Sequence, residues 1–170
     1  MGDDLRARRG DREIAFDSEG KGAAVLLLPG LGSGRRLFGT LPRKLARSGF
    51  RALAFDPVGV APSTPHPADA TYEFEAAARD VHAVLDAAGV ERVALVGTSL
   101  GGKLALQVHA VAPERVDRLV LLASAAVHTE RSARVYRFFE LVAGNLDADQ
   151  IAEVVAPFLI GKSFHEKNPA

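Results

Sequence analysis

Short apolar runs alternate with amphipathic stretches along most of the chain. The runs are rich in Val, Leu, Ala and Phe and are bounded by glycine, proline or aspartate, which is typical of strands. The stretches between them repeat apolar residues at i, i+3, i+4 and i+7, the period of a helix with one buried face. This alternation predicts an α/β protein with about six strands in a mostly parallel sheet.

The chain is expected to open with an antiparallel hairpin, because residues 5–9 and 13–16 alternate around the turn pair Gly10-Asp11. The last two predicted strands are nearly continuous Val, Leu and Ala, which indicates that helices cover both of their faces. Thr71 is expected to cap the second helix. After the hairpin, strands are predicted at 23–28, 51–55, 92–96 and 116–123, and helices at 37–48, 71–88 and 100–112.

The pattern changes near residue 127, so we predict a core over 1–127 and a separate helical segment over 128–170. Three aromatic residues between 136 and 139 indicate a helix that ends near Gly144. Asp147 followed by Gln150 resembles a capping box and predicts the start of a second helix.

Charge and composition narrow the classes of function. Lys plus Arg is 21 and Asp plus Glu is 21, so the formal net charge is zero. That balance argues against nucleic acid or an anionic membrane as the main partner. The chain has no cysteine, and its apolar runs are too short to span a bilayer. These features predict a cytoplasmic protein, and no residue cluster indicates a metal ion or an organic cofactor.

The strongest chemical signal is Gly97-Thr98-Ser99-Leu100-Gly101, which fits G-x-S-x-G at a predicted strand–helix junction. A serine on such a tight turn has strained backbone angles, and Gly97 and Gly101 let the strand and helix approach without Cβ clashes. Ser99 is therefore the candidate nucleophile. The Leu100 N–H, at the start of the helix, would face an oxyanion.

A glycine-rich loop follows the third strand, and the Leu31 N–H within it is the candidate for a second oxyanion donor. Gly30, Gly32 and Gly34, with Asp56 after the next strand, also come close to a dinucleotide-binding fingerprint. That fingerprint needs a glycine where this chain has Arg35. A dinucleotide site nevertheless stays open as an alternative.

These motifs together resemble the α/β-hydrolase fold family. The resemblance rests on the 97–101 elbow, the P-G-L-G loop at 29–32, the run 56–63, which is similar to D-x-R-G-x-G-x-S, and A-P-E-R-V at 112–116. This chain departs from the family pattern at three positions. It has Pro29 where His is common, Val58 where Arg is common and Ala61 where Gly is common. The resemblance implies hydrolysis of carboxylic esters, lactones or related acyl bonds of small apolar substrates, and it identifies the last two helices as the start of a cap.

The resemblance also implies a triad acid after a seventh strand and a histidine after an eighth, and neither has a matching position here. His109 lies about 15 Å along its helix from Ser99 at 1.5 Å per residue. His128 and His165 could approach the cleft, whereas His66 and His82 are expected to be solvated or partly packed.

We therefore predict a catalytically incomplete chain. Its sixth strand would be an apolar edge, open to self-association or to a partner chain. A non-catalytic ligand-binding or interaction protein with this fold is the other alternative.

Overall fold

The computed structural model describes residues 3–67, 71–127 and 129–159. The chain divides into two compact units, Met1–Ala126 and Val127–Ala170. The first unit contains a six-stranded sheet with helices on its faces. Its strands are β1 (Asp3–Arg9), β2 (Arg12–Gly20), β3 (Ala24–Leu28), β4 (Arg51–Phe55), β5 (Val93–Thr98) and β6 (Val116–Leu122), and its helices are α1 (Leu41–Arg47), α2 (Phe74–Ala87) and α3 (Leu100–Val111).

The strand order is β1-β2-β4-β3-β5-β6. The β1–β2 and β2–β4 pairs are antiparallel, whereas β4, β3, β5 and β6 are mutually parallel. The predicted α/β class, the mostly parallel sheet and the opening hairpin are confirmed. Because the parallel strands end at one edge, the loops that follow β3, β4 and β5 meet there.

The two faces of the sheet bury alternate side chains of each strand. In β3, Leu26 and Leu28 belong to the larger core, which includes the inner residues of α2 and α3. Val25 and Leu27 point to the opposite face, where Phe38 and Leu45 pack against them. The largest fully buried side chains are Phe16, Phe55, Ile14, Leu26, Leu27, Leu28, Leu53, Leu85 and Leu95.

Two predicted helix starts are wrong. The helix expected over 37–48 is divided into a short 3-10 turn, Arg35–Phe38, and α1. Gly39, with φ of 50°, breaks the turn, and Pro42 favours a new start because proline suits the first turn of a helix. Thr71 does not cap α2, which begins at Phe74 after an extended residue with no side-chain cap.

The expectation that helices cover both faces of the sixth strand is also wrong. β6 pairs with β5 on one side, and in the described residues no strand pairs with its other side. Val120, Leu121 and Leu122 are 44%, 37% and 46% exposed, so both faces of the strand's end present apolar side chains. The predicted apolar edge is therefore present in the described residues.

The second unit contains α4 (Glu130–Asn145) and α5 (Ala148–Leu159). Reciprocal hydrogen bonds between Thr129 and Ser132 cap the start of α4. The predicted capping box at Asp147 is confirmed, since its carboxylate accepts from the Gln150 N–H at 2.9 Å and Gln150 Oε1 accepts from the Asp147 N–H at 3.1 Å. Among the helices that the structure describes, none combines the length and apolarity that a bilayer crossing needs.

Candidate active site

Ser99 is the residue that joins β5 to α3, at the edge where the parallel strands end. Its φ of 53° and ψ of −115° lie in a region that non-glycine residues rarely adopt. The backbone holds it there, because its N–H donates to the Leu122 carbonyl at 2.8 Å and its carbonyl accepts from the Gly102 N–H at 3.0 Å. The residue is exposed, so the strained turn presents its hydroxyl to solvent.

The glycines on either side of Ser99 allow close backbone contacts. A Cβ at Gly97 would lie 2.4 Å from the Gly101 carbonyl oxygen. A Cβ at Gly101 would lie 2.2 Å from the Leu28 carbonyl oxygen and 2.5 Å from that of Pro29. Since each contact is with rigid backbone, no side chain fits at either position. The strand–helix junction therefore depends on both glycines.

The loop after β3 lies against this junction. A Cβ at Gly30 would be 3.6 Å from Ser99 Cβ and 3.5 Å from the Thr98 carbonyl oxygen, which is ordinary contact. Leu31 follows directly and is 53% exposed. In the described part of the chain, neither the Leu31 N–H nor the Leu100 N–H donates to another protein group. Within the described residues, both N–H groups are therefore without a protein acceptor.

Asp56 fixes the far end of this loop. Its buried carboxylate accepts from the Arg35 backbone N–H at 2.8 Å and pairs with Arg35 Nε at 3.0 Å. The same guanidinium contacts Asp17 at 2.6 Å. Gly34 packs so closely that its Cβ would lie 2.1 Å from Asp56 Oδ1. Asp56 is therefore engaged, and the dinucleotide alternative loses the carboxylate on which it depends.

The run 56–63 is anchored to β2 by hydroxyl groups. Ser63 is buried, accepts from the Ala15 N–H at 2.8 Å and donates to the Asp56 carbonyl at 2.6 Å. Thr64 Oγ1 accepts from the Glu13 N–H at 2.8 Å. The sequence motif contains this serine, but no sequence pattern revealed its partner on β2. Buried Ser63 therefore stiffens the loop from beneath and is not a reacting group.

No described histidine is hydrogen-bonded to the Ser99 hydroxyl. His109 lies on α3, and His66 lies beside Tyr72 with ring centroids 6.1 Å apart. His82 is on α2, with both ring nitrogens buried. Burial lowers the pKa of His82, and Arg115 lowers it further. His128 and His165 lie outside the described residues.

A cavity of about 340 Å³ opens between the hairpin and α2, and Ser99 is not among its described lining residues. Arg12 lines it and pairs with buried Asp80 at 3.0 Å, while Arg9 contacts the same carboxylate at 2.6 Å. Burial raises the pKa of Tyr72 in its wall, with a further contribution from Asp80. The described side chains contain no cluster of three or more His, Cys, Asp or Glu suited to a metal ion.

Comparison with known proteins gives consistent matches. A family model described as the alpha/beta hydrolase fold matches residues 23–159. The chain is 33% identical over 175 residues to the 2-hydroxymuconate semialdehyde hydrolase of Pseudomonas sp. (strain CF600), covering 92% of this chain and 61% of that one. It is 34% identical over 127 residues to the human serine hydrolase BPHL, covering 73% and 44%.

A solved structure extends these matches to three dimensions. The thermophilic esterase from Thermogutta terrifontis superposes with a TM-score of 0.82 at 25% identity, over 98% of this chain and 62% of that one. In the sequence alignments, this chain covers only 37 to 44% of the length of several curated relatives. These proteins therefore contain segments for which this chain has no counterpart in the alignments.

Proposed function

The chain belongs to the α/β hydrolase fold family, and on that premise we propose that Ser99 is the nucleophile with which the whole protein hydrolyses carboxylic esters, lactones or related acyl bonds. The observation that carries the proposal is the strained backbone of Ser99, held between two close-packed glycine positions. A structure keeps such strain where surrounding contacts impose it, and reacting residues are where it is most often found.

The reaction needs three contributions at this edge of the sheet. Ser99 Oγ attacks the substrate carbonyl carbon while a base removes its proton, and the carbonyl oxygen becomes an oxyanion. The Leu31 and Leu100 N–H groups stabilise that charge, with the N-terminus of α3 adding its dipole. The tetrahedral intermediate collapses and expels the alcohol, which takes a proton. Water then releases the acid from the acyl-enzyme by the same steps.

The base and the acid that orients it are proposed to come from residues other than the described histidines. Without a base a serine hydroxyl is a weak nucleophile, and oxyanion donors alone leave a small residual rate. His128 and His165 remain candidates, as do segments of the whole protein beyond these 170 residues. The isolated chain is accordingly expected to react slowly.

Small apolar esters or lactones are the proposed substrates. The exposed Leu31 side chain, in the loop that contacts the Ser99 turn, supports an apolar substrate. The relatives named above include a thermophilic esterase and a 2-hydroxymuconate semialdehyde hydrolase. No residue cluster calls for a cofactor, and a cytoplasmic location stays a prediction.

Two further parts of the proposal concern architecture. Residues 128–170 are proposed to begin a helical cap, supported by the two capped helices α4 and α5. The outer edge of β6 is proposed to pair with another strand, from a second copy or from another segment of the protein. Exposed apolar side chains on a strand with an open edge support this pairing.

A second function is favoured by one observation. Within residues 3–67, 71–127 and 129–159, the Ser99 hydroxyl makes no hydrogen bond. A protein that kept the fold but lost the triad would bind small apolar ligands without turnover. Binding of such ligands by a whole protein that never reacts with a serine probe would support this alternative.

Labelling with a fluorophosphonate probe, read by intact mass, tests the proposal. The whole protein should gain one probe mass, and Ser99→Ala should gain none. The 170-residue chain, assayed in parallel, should react far more slowly, since loss of the base costs on the order of a hundredfold or more.

Ser33→Ala provides the matched control, because Ser33 lies in the neighbouring loop and its hydroxyl makes only a 3.5 Å contact with the Leu31 carbonyl. It should be labelled like the wild type. Undiminished labelling of Ser99→Ala, or no labelling of a folded whole protein, would overturn the assignment of Ser99.

A further inference from the structure

The charges of the chain are segregated along the sequence, although their sum is zero. Between Glu19 and Asp56 there is no acidic residue. The same interval contains seven cations: Lys21, Arg35, Arg36, Arg43, Lys44, Arg47 and Arg51. The argument from net charge against an anionic surface therefore applies to the chain as an average and not to this interval.

The structure places four of these cations on one short stretch of surface. Arg36 lies in the 3-10 turn before α1, and Arg43, Lys44 and Arg47 lie on α1, all exposed. Arg43 is 3.8 Å from Glu19. The other three have no carboxylate within ion-pair distance in the described residues, so their charge is not neutralised locally.

Large apolar side chains are exposed among these cations. Leu37 is 51% exposed and Leu41 is 37% exposed. In the same elements Phe38 and Leu45 point inward and pack on Val25 and Leu27, so the stretch is fixed to the sheet by its inner face. Its outer face consequently combines unpaired cations with apolar groups that water does not solvate well.

We propose that this face, defined by Arg36, Leu37, Leu41, Arg43, Lys44 and Arg47 and called the α1 surface, docks on an anionic lipid bilayer. Cations attract the headgroups, and apolar side chains between them enter the boundary of the acyl region. Nucleic acid would use the cations but gain little from the leucines. The proposal goes beyond the hydrolase assignment and does not depend on Ser99.

The position of the α1 surface relates it to the candidate active site. Arg36 follows Arg35, which Asp56 holds at the edge where the parallel strands end. Ser99 lies at the same edge. One end of the α1 surface therefore lies at the same edge of the sheet as the serine.

Flotation with vesicles tests the proposal and separates bound protein from aggregates. The protein should float with vesicles of phosphatidylcholine mixed with phosphatidylglycerol, and not with phosphatidylcholine alone. Lys44→Gln combined with Arg47→Gln should weaken partitioning about 25-fold, at about fivefold per cation. Leu37→Ser should weaken it as well, while the dependence on salt remains. The matched control is Arg131→Gln combined with Arg134→Gln on exposed positions of α4, which should bind like the wild type.

Equal binding to neutral vesicles, or equal losses in the α4 control, would overturn the proposal. Tighter binding to an RNA oligonucleotide than to anionic vesicles, unchanged by Leu37→Ser, would overturn it in favour of nucleic acid. Fluorophosphonate labelling without vesicles reports on Ser99 separately, so failure of one proposal is distinguishable from failure of the other.

Discussion

The backbone N–H of Ser99 donates to the carbonyl oxygen of Leu122 at 2.8 Å, which joins the strained end of β5 to the last residue of β6. The next residue, Ala123, also has a positive φ of 49°. Two non-glycine residues with unfavourable backbone angles therefore lie at neighbouring strand ends, each costing on the order of 1 to 3 kcal/mol. The β5–β6 pairing imposes these angles, so the geometry of Ser99 depends on β6 as well as on its own loop.

Gly101→Ala should destabilise the first unit by about 3 kcal/mol, because its methyl group would lie 2.2 Å from the Leu28 carbonyl oxygen. Urea unfolding, followed by circular dichroism, measures the change. Gly30→Ala is the matched control, since its methyl group meets only ordinary contacts near 3.5 Å and should cost less than about 1 kcal/mol. Equal losses in the two variants would contradict the close-packing argument.

Asp56→Asn should cost about 2 kcal/mol, since it removes the charge from one of the two carboxylates that contact Arg35 and weakens the acceptor of the Arg35 backbone N–H. The same urea titration measures the loss. Glu75→Gln removes one partner of the exposed Arg79 ion pair and should change stability by less than about 0.5 kcal/mol. If both substitutions had the same small effect, Asp56 would not be the anchor of the glycine-rich loop.

Because of His82, the free energy of unfolding should depend on pH in the mildly acidic range. Burial and the nearby Arg115 hold its pKa below the ordinary value of about 6.5, while Asp86, the Val108 backbone and Glu114 act in the opposite direction. The unfolded chain therefore binds a proton that the folded chain resists, and the free energy of unfolding should fall as pH drops below about 6.5. His82→Leu should reduce that slope in urea titrations across this range. Identical slopes in variant and wild type would contradict the prediction.

The open edge of β6 should promote self-association of the 170-residue chain. Val120→Lys should lower the associated fraction in sedimentation velocity at constant concentration, because a charged side chain on an edge strand opposes pairing. Val111→Lys is the matched control, since Val111 has similar exposure but lies at the end of α3. A reduction of the same size in both variants would indicate nonspecific attraction rather than edge pairing.

Sequence periodicity predicted the bounds of an element best where turn residues directly flank a run of apolar residues. β4 has the predicted bounds, since Gly49 precedes it and Asp56-Pro57 ends it. β2 extends to Gly20, four residues beyond the prediction, because its second half is polar and is defined by pairing with β4 rather than by burial. Apolar alternation alone therefore does not reveal that half of the strand.

In the candidate active site, too, the sequence predicts what neighbouring residues determine but not the contacts between distant residues. The turn at Ser99 follows from five consecutive residues, so the sequence suffices to predict its position between strand and helix. The Arg35–Asp56 pair joins residues 21 positions apart, and only the parallel packing of β3 beside β4 brings them together. Spacing alone suggested a dinucleotide site that includes Asp56, whereas the fold pairs that carboxylate with Arg35.

The hydroxyl contacts of Ser63 and Thr64 have a consequence for protein engineering. The Ala15 carbonyl of β2 accepts from the Asp56 N–H, and the Ala15 and Glu13 N–H groups donate to the Ser63 and Thr64 hydroxyls. Both ends of the segment 57–62 are therefore attached to β2. A foreign loop of different length could replace that segment without moving the hairpin, provided that Ser63 and Thr64, which follow it, are retained. The shape of the cavity that Pro57 and Val58 line could thus be varied separately from the register of the sheet.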